Sequence, residues 1–107
     1  MKGLLKMDAG KLRHMVIFCL KHESGTPEEK KFLQDSSSIL SVIPGVKKFE
    51  LLRQVSPKND YDFGLSMEFD DEQSYEKYNT HPSHVDYVEQ RWLKEVVRFL
   101  EIDFKTS

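Results

Sequence analysis

Tyr61-Asp62-Phe63-Gly64-Leu65-Ser66-Met67-Glu68-Phe69 is the stretch that decides the fold. Its odd-numbered positions are large and apolar, and its even-numbered ones, Asp62, Gly64, Ser66 and Glu68, are small or polar. A period of two is what an extended strand shows when one face is buried and the other is not. The segments on either side must therefore supply its sheet neighbours and the layer that covers its apolar face.

Toward the N-terminus, Ser56 to Asp60 (SPKND) has the composition of a turn, and Val46 to Val55 reads as another strand. Pro44 and Gly45 mark a helix end, because a residue before proline avoids the helical region and glycine suits the turn that follows. Phe32, Leu33, Ser36, Ile39, Leu40 and Ile43 recur at helical spacing before that stop. Thr26 is the expected N-cap, Pro27 fits the first helical position, and Glu28 and Glu29 favour the positive end of the helix dipole. His14 to Lys21 (HMVIFCLK) is dense in β-branched and aromatic residues and reads as the first strand. Toward the C-terminus, Asp70 is expected to cap a short helix through Tyr78. Pro82 opens a second helical segment with Val85, Val88, Trp92 and Val96 on one stripe, and a last strand runs from about Val97 to Phe104.

The order is β-α-β-β-α-β, the ferredoxin-like split motif of the α+β class: a four-stranded antiparallel sheet with helices on one face. With 107 residues the chain makes one domain, assigned to residues 13–105, after an N-terminal tail over residues 1–12. A composition of 38% hydrophobic and 11% aromatic residues supports a packed core and argues against disorder. The net charge of −2 lacks the basic excess that nucleic-acid binding leaves, and no apolar run is long enough for a membrane span or a signal peptide. Cys19 stands alone, so no intrachain disulfide forms, and a reducing, cytoplasmic location is expected.

The first strand raises a question of cover. His14, Val16, Phe18 and Leu20 point one way, Met15, Ile17 and Cys19 the other, and both sets are largely apolar. Two helices from one chain cover only one face. Either the second face stays open or a second copy covers it, and a homodimer joined through the helix-free face is the expectation.

Chemistry concentrates in Tyr78-Asn79-Thr80-His81-Pro82-Ser83-His84. His84 falls in the first turn of the helix that Pro82 opens, where unpaired backbone N–H groups disfavour an imidazolium and keep the ring neutral near pH 7. A neutral imidazole acts as a base or accepts a hydrogen bond. Tyr78 offers a hydroxyl donor, and His14 at the start of the first strand is able to face the same space. His84, Tyr78 and His14 are thus the candidate catalytic residues, beside the simpler reading that each makes a structural hydrogen bond. His81 and Pro82 most simply build the turn. Phe18, Phe63 and Met67 are core residues that also qualify as ligand-lining. The i,i+3 spacing of His81 and His84 across a proline is not a usual ligand pattern, so neither a metal nor another cofactor is expected. Cys19 reads as inert core, and the acidic run Glu68 to Glu72 as a solvated strand end and helix start.

Five elements in order then resemble the stress-responsive A/B barrel (Dabb) family: His14-Met15-Val16-Ile17-Phe18, Ile43-Pro44-Gly45-Val46, Tyr61-Asp62, Tyr78-x-x-His81-Pro82-x-His84, and Asp103-Phe104. They span about Arg13 to Phe104. The resemblance implies two copies closing their sheets into a dimeric α/β barrel, with a pocket in each subunit for a small apolar or aromatic molecule. One plant branch of that family closes aromatic polyketide rings by aldol condensation. There the histidine matching His84 is the base, the tyrosine matching Tyr78 assists, and the histidine matching His14 lies nearby. Other members are stress-induced dimers with no reaction attached. Related dimeric barrels degrade haem or oxidise quinols, but no haem-ligating or substrate-polarising set is identifiable here.

Overall fold

The computed structural model describes residues 10–106, so the tail assigned to residues 1–12 lies outside the described residues up to position 9. The elements are β1 (Leu12–Leu20), α1 (Pro27–Leu40), β2 (Lys47–Arg53), β3 (Phe63–Phe69), α2 (Glu72–Thr80), α3 (Pro82–Tyr87) and β4 (Val96–Lys105). Between α3 and β4 the chain makes a π-helical turn, Val88–Trp92, and a last α-helical turn, Leu93–Glu95. The sheet order is β2-β3-β1-β4 with every neighbouring pair antiparallel, the ferredoxin-like arrangement expected from the sequence.

Local signals act largely as anticipated. Thr26 Oγ1 accepts from the Glu29 N–H at 3.3 Å, with Pro27 in the first helical position. Gly45 turns the chain into β2 at φ 93°, a conformation costly for a residue with a Cβ. Asp71, not Asp70, is the cap of α2: its carboxylate accepts from the Ser74 N–H at 2.8 Å. Asp70 instead accepts from Lys47 Nζ on β2 at 2.8 and 2.9 Å, a long-range partner that no local pattern announces.

The register sets the two faces. Phe63, Leu65 and Met67 stand opposite Phe18, Val16 and His14, and all six point toward the helices. Ile17 stands opposite Gly64 and Met15 opposite Ser66 on the other face. Under the helices, Phe18 meets Trp92, Phe63 and Phe32 at ring-centroid distances of 5.0, 5.7 and 6.2 Å. Each such pair adds about 0.5–1.5 kcal/mol beyond the area it buries. A second group, Phe69 with Tyr75 and Tyr78, packs at 5.1 Å for each pair.

Two expectations need correction. The stripe Val85, Val88, Trp92, Val96 does not form, since Val85 is 40% exposed and Val96 already belongs to β4. The buried residues are Tyr87 and Trp92, five apart, because the π-helical turn inserts a residue and shifts the helical phase. Glu68, assigned to a solvated strand end, is only 2% exposed. Lys11, Arg13 and Lys48 close over its carboxylate at 3.4, 3.2 and 3.7 Å, which compensates the charge.

On the helix-free face, Met15 and Ile17 stand beside Ile102 and Leu100 of β4, with Phe104 and Leu52 on the same side. Leu52, Leu100, Ile102 and Phe104 are between 36% and 48% exposed. The face is apolar and open in the single chain, as the two-sided pattern of β1 anticipates. Among the described residues, no helix is long and apolar enough to cross a membrane.

Candidate functional site

A cavity of about 410 Å³ opens between the sheet and the segment from α2 to the π-helical turn. Its walls are mostly apolar: Val16, Leu65 and Met67 from the sheet, Leu40 from α1, and Tyr87, Val88, Trp92 and Leu93 from the interrupted helix. The polar lining is concentrated in His14, Tyr75, Tyr78, Asn79, His84 and Glu101. The cavity thus draws together His14, Tyr78, His84 and Met67. It does not use Phe18 or Phe63, the two other residues expected to line it: both lie in the core, shielded by Phe32 and Trp92 or Arg53. His81 stays at the turn, where its Nδ1 accepts from the Ser83 N–H at 3.1 Å, and Pro82 is the first residue of α3.

His84 and His14 are each held by Nδ1. His84 Nδ1 lies 3.1 Å from the Asn79 carbonyl, which only accepts, so the proton sits on Nδ1 and Nε2 remains an acceptor. His14 Nδ1 lies 2.6 Å from Asp103 Oδ1, and a carboxylate likewise fixes the proton there. Its Nε2 is 4.0 Å from Glu101 Oε2. Asp103 also accepts from the Tyr75 hydroxyl at 3.1 Å, which completes a Tyr75–Asp103–His14 cluster across α2, β4 and β1. Tyr78 is placed between the two imidazoles, with ring centroids 4.4 Å from His84 and 6.4 Å from His14.

The electrostatics follow from burial. Desolvation lowers the His84 pKa below its ordinary value, helped by the nearby His14 and opposed by the Asn79 carbonyl and Glu101. The neutral state is the expected one, but its main cause is burial rather than the helix dipole. Burial holds the Tyr78 phenol well above its usual range, so it is a hydroxyl donor at neutral pH. Burial and then Asp103 raise Tyr75 in the same direction. A neutral imidazole acceptor beside a protonated phenol is able to take a proton from one atom of a bound molecule and hydrogen-bond another. Among the described residues, no group of three or more His, Cys, Asp or Glu is arranged to hold a metal ion.

Tyr75, Asn79, Glu101 and the pairing role of Asp103 were not read as site features from the sequence. Tyr75 had a signal, since it lies three residues before Tyr78 and so on the same helical face. Asp103 and Glu101 alternate with Ile102 on β4, which puts them on one side, but that this is the cavity side depends on the register with β1.

A ferredoxin-like sheet with a histidine- and tyrosine-bearing cavity under its helices defines the class as an α+β protein of the A/B-barrel type. The chain belongs to the stress-responsive A/B barrel domain (Dabb) family, whose sequence profile matches residues 12–106. It is similar to a Dabb-family protein with a ferredoxin-like fold from Mesorhizobium loti, at 56% identity over 92% of this chain and 98% of that one, with a TM-score of 0.91. A dimeric ferredoxin-like protein of unknown function from Thermobifida fusca shares the fold at 19% identity and TM-score 0.73, over 98% and 99% of the two chains. So does a hydroxynitrile lyase from Passiflora edulis, at 11% identity and TM-score 0.78 over 91% and 94%. No curated protein matches the sequence.

Proposed function

We propose that the protein binds a small, largely aromatic or apolar molecule in this cavity, with His84 and Tyr78 as its acid–base pair, and that it acts as a homodimer. The observation that carries the reading is the placement of Tyr78 between two imidazoles, each tied down through Nδ1, in a single mostly apolar cavity. Its volume of about 410 Å³ suits a ligand of one to three rings.

In a proton transfer next to a carbonyl, His84 Nε2 takes the proton as the C–H bond breaks, and the electron pair moves into an enolate. The Tyr78 hydroxyl donates to the developing oxyanion. His14, aligned by Asp103, is a second acceptor for a substrate hydroxyl. This is the proton inventory of a ring-closing aldol condensation, the reaction that the family resemblance suggests.

The dimer is supported by the open apolar strip of Met15, Ile17, Leu52, Leu100 and Ile102, and by the long exposed edge strand β4. A second copy seated there removes that strip from water without touching the cavity lining on the opposite face.

The test is a thermal-shift titration with 2-naphthol and related bicyclic aromatics, in the wild type and in His84→Ala. Ligand bound only to the folded state raises Tm, by the equivalent of about 2.7 kcal/mol at a hundred times Kd. The reading requires a saturable shift that His84→Ala weakens. Absence of any shift at millimolar ligand contradicts it. Once a substrate is found, losing the base costs on the order of 10²–10⁴ in turnover.

A further inference from the structure

The polar lining of the cavity is one-sided in charge. Fifteen residues form its walls, and none is lysine or arginine. Glu101 contributes a carboxylate to the lining, and Asp103 stands directly behind His14 at 2.6 Å. The two carboxylates sum to −2, and the single imidazole that faces them, His14, cannot offset more than one of those charges. His84 does not offset this at neutral pH, since burial keeps it uncharged. The other polar groups are neutral: the Tyr75 and Tyr78 hydroxyls, the Asn79 amide and the imidazole nitrogens. Two cations on the same stretches of chain as lining residues are engaged elsewhere, Arg91 with Asp35 and Glu95 at 2.6 Å each, and Lys105 with Glu72 at 3.3 Å.

From this geometry we infer that the cavity selects neutral or cationic ligands bearing hydrogen-bond donors, such as phenols and arylalkyl amines, and rejects carboxylates and other anions of the same shape. The inference rests on the cavity being a ligand site, as proposed above, and adds which chemical class enters it. An anion would meet Glu101 and Asp103 with no Lys or Arg in the walls, a repulsion that the partial exposure of the two carboxylates reduces but does not remove. A phenol or amine finds the opposite situation: Nε2 of His14, Nε2 of His84 and the Glu101 carboxylate are all acceptors. Proton transfer to His84 remains compatible with this field. It creates an imidazolium and an enolate together, so the site gains no net charge, and Glu101 favours the imidazolium.

The experiment uses three probes that share one ring system: 2-naphthol, 2-(aminomethyl)naphthalene and 2-naphthoate. Each is titrated into the full-length protein at pH 7.5 and low salt, and Kd is read from the shifts of the histidine ring protons. The amine and the naphthol should bind at least about tenfold more tightly than the naphthoate. Glu101→Gln should narrow the ratio between amine and naphthoate by severalfold. If naphthoate binds as well as the amine, the inference fails while the cavity stands as a ligand site. If no probe binds at millimolar concentration, the ligand-site reading fails and takes the inference with it. An unchanged amine-to-naphthoate ratio in Glu101→Gln also overturns the assignment.

Discussion

Removing the Ser36 hydroxyl should destabilise the protein more than removing the Tyr87 hydroxyl it contacts. Ser36, fully buried on α1, donates to the Phe32 carbonyl at 2.7 Å, which commits its only proton. The 2.6 Å contact with Tyr87 therefore has Tyr87 donating to Ser36 Oγ. In Ser36→Ala, a phenol that is 3% exposed loses its acceptor at a buried position. The penalty for a stranded buried donor is about 1–3 kcal/mol. In Tyr87→Phe the stranded donor disappears with its partner bond and Ser36 keeps its carbonyl, so the cost is the net worth of one neutral hydrogen bond, about 1 kcal/mol. The double variant should lie near Tyr87→Phe alone, which gives a coupling as large as the Ser36→Ala penalty itself, about 1–3 kcal/mol. Urea unfolding followed by Trp92 fluorescence measures all three. Trp92 is the only tryptophan and its ring lies 6.4 Å from that of Tyr87. Protomer concentration must be held constant, because association shifts apparent stability. For a domain of this size Ser36→Ala should lower Tm by on the order of 10 °C. If Tyr87→Phe costs as much as Ser36→Ala or more, the assignment of donor and acceptor is wrong. The contact also matters for the site, since it anchors to α1 the residue that leads into the π-helical wall of the cavity.

Other outcomes follow from the same structure. Burial pushes the Tyr87 phenol up to about 12, so the unfolded chain releases its proton first as pH rises. Its stabilising contribution is complete below pH 10 and is lost between there and 12, with a slope of about 1.4 kcal/mol per pH unit that Tyr87→Phe removes from an alkaline denaturation series. His84 has the opposite sign. Its folded pKa is depressed, so the unfolded chain takes up the proton first, and stability should fall as pH drops through about 6.5. Melting curves across that range should show less decline in His84→Gln, and an identical decline would separate His84 from the effect. Ile102→Asp places a charge in the middle of the open apolar strip and should shift sedimentation toward monomer while cavity binding persists. An unchanged sedimentation profile would locate the dimer elsewhere.

The fold was legible wherever one local pattern spoke for one element. The alternation in Tyr61 to Phe69 and the Thr26-Pro27 start of α1 both describe what forms, within two residues at the ends. What the sequence could not show depends on long-range geometry. Asp70 looks like a cap until Lys47 is found beside it. Glu68 looks solvated until Arg13 of β1, Lys48 of β2 and Lys11 just before β1 converge on it. The helix after Pro82 defeats a 3.6-residue reading because one π-helical turn shifts its phase, which exchanges Val85 for Tyr87 as the buried residue. The site shows the same division. His84 and Tyr78 stand out because they flank one short turn, whereas the Tyr75–Asp103–His14 cluster joins three elements, and no spacing predicts it. Phe18 and Phe63 share a face with Met67, but the face extends beyond the cavity, and only its His14 end opens onto it.

Long-range ¹H–¹⁵N spectra of the histidine side chains, recorded at pH 7 with and without saturating 2-naphthol, report the His84 tautomer and its response to ligand together. His84 should be the neutral tautomer protonated on Nδ1, with an unprotonated Nε2 resonance that moves on ligand addition, and a smaller movement at His14. A His84 ring protonated on Nε2, or a His84 spectrum indifferent to bound ligand, would contradict this assignment.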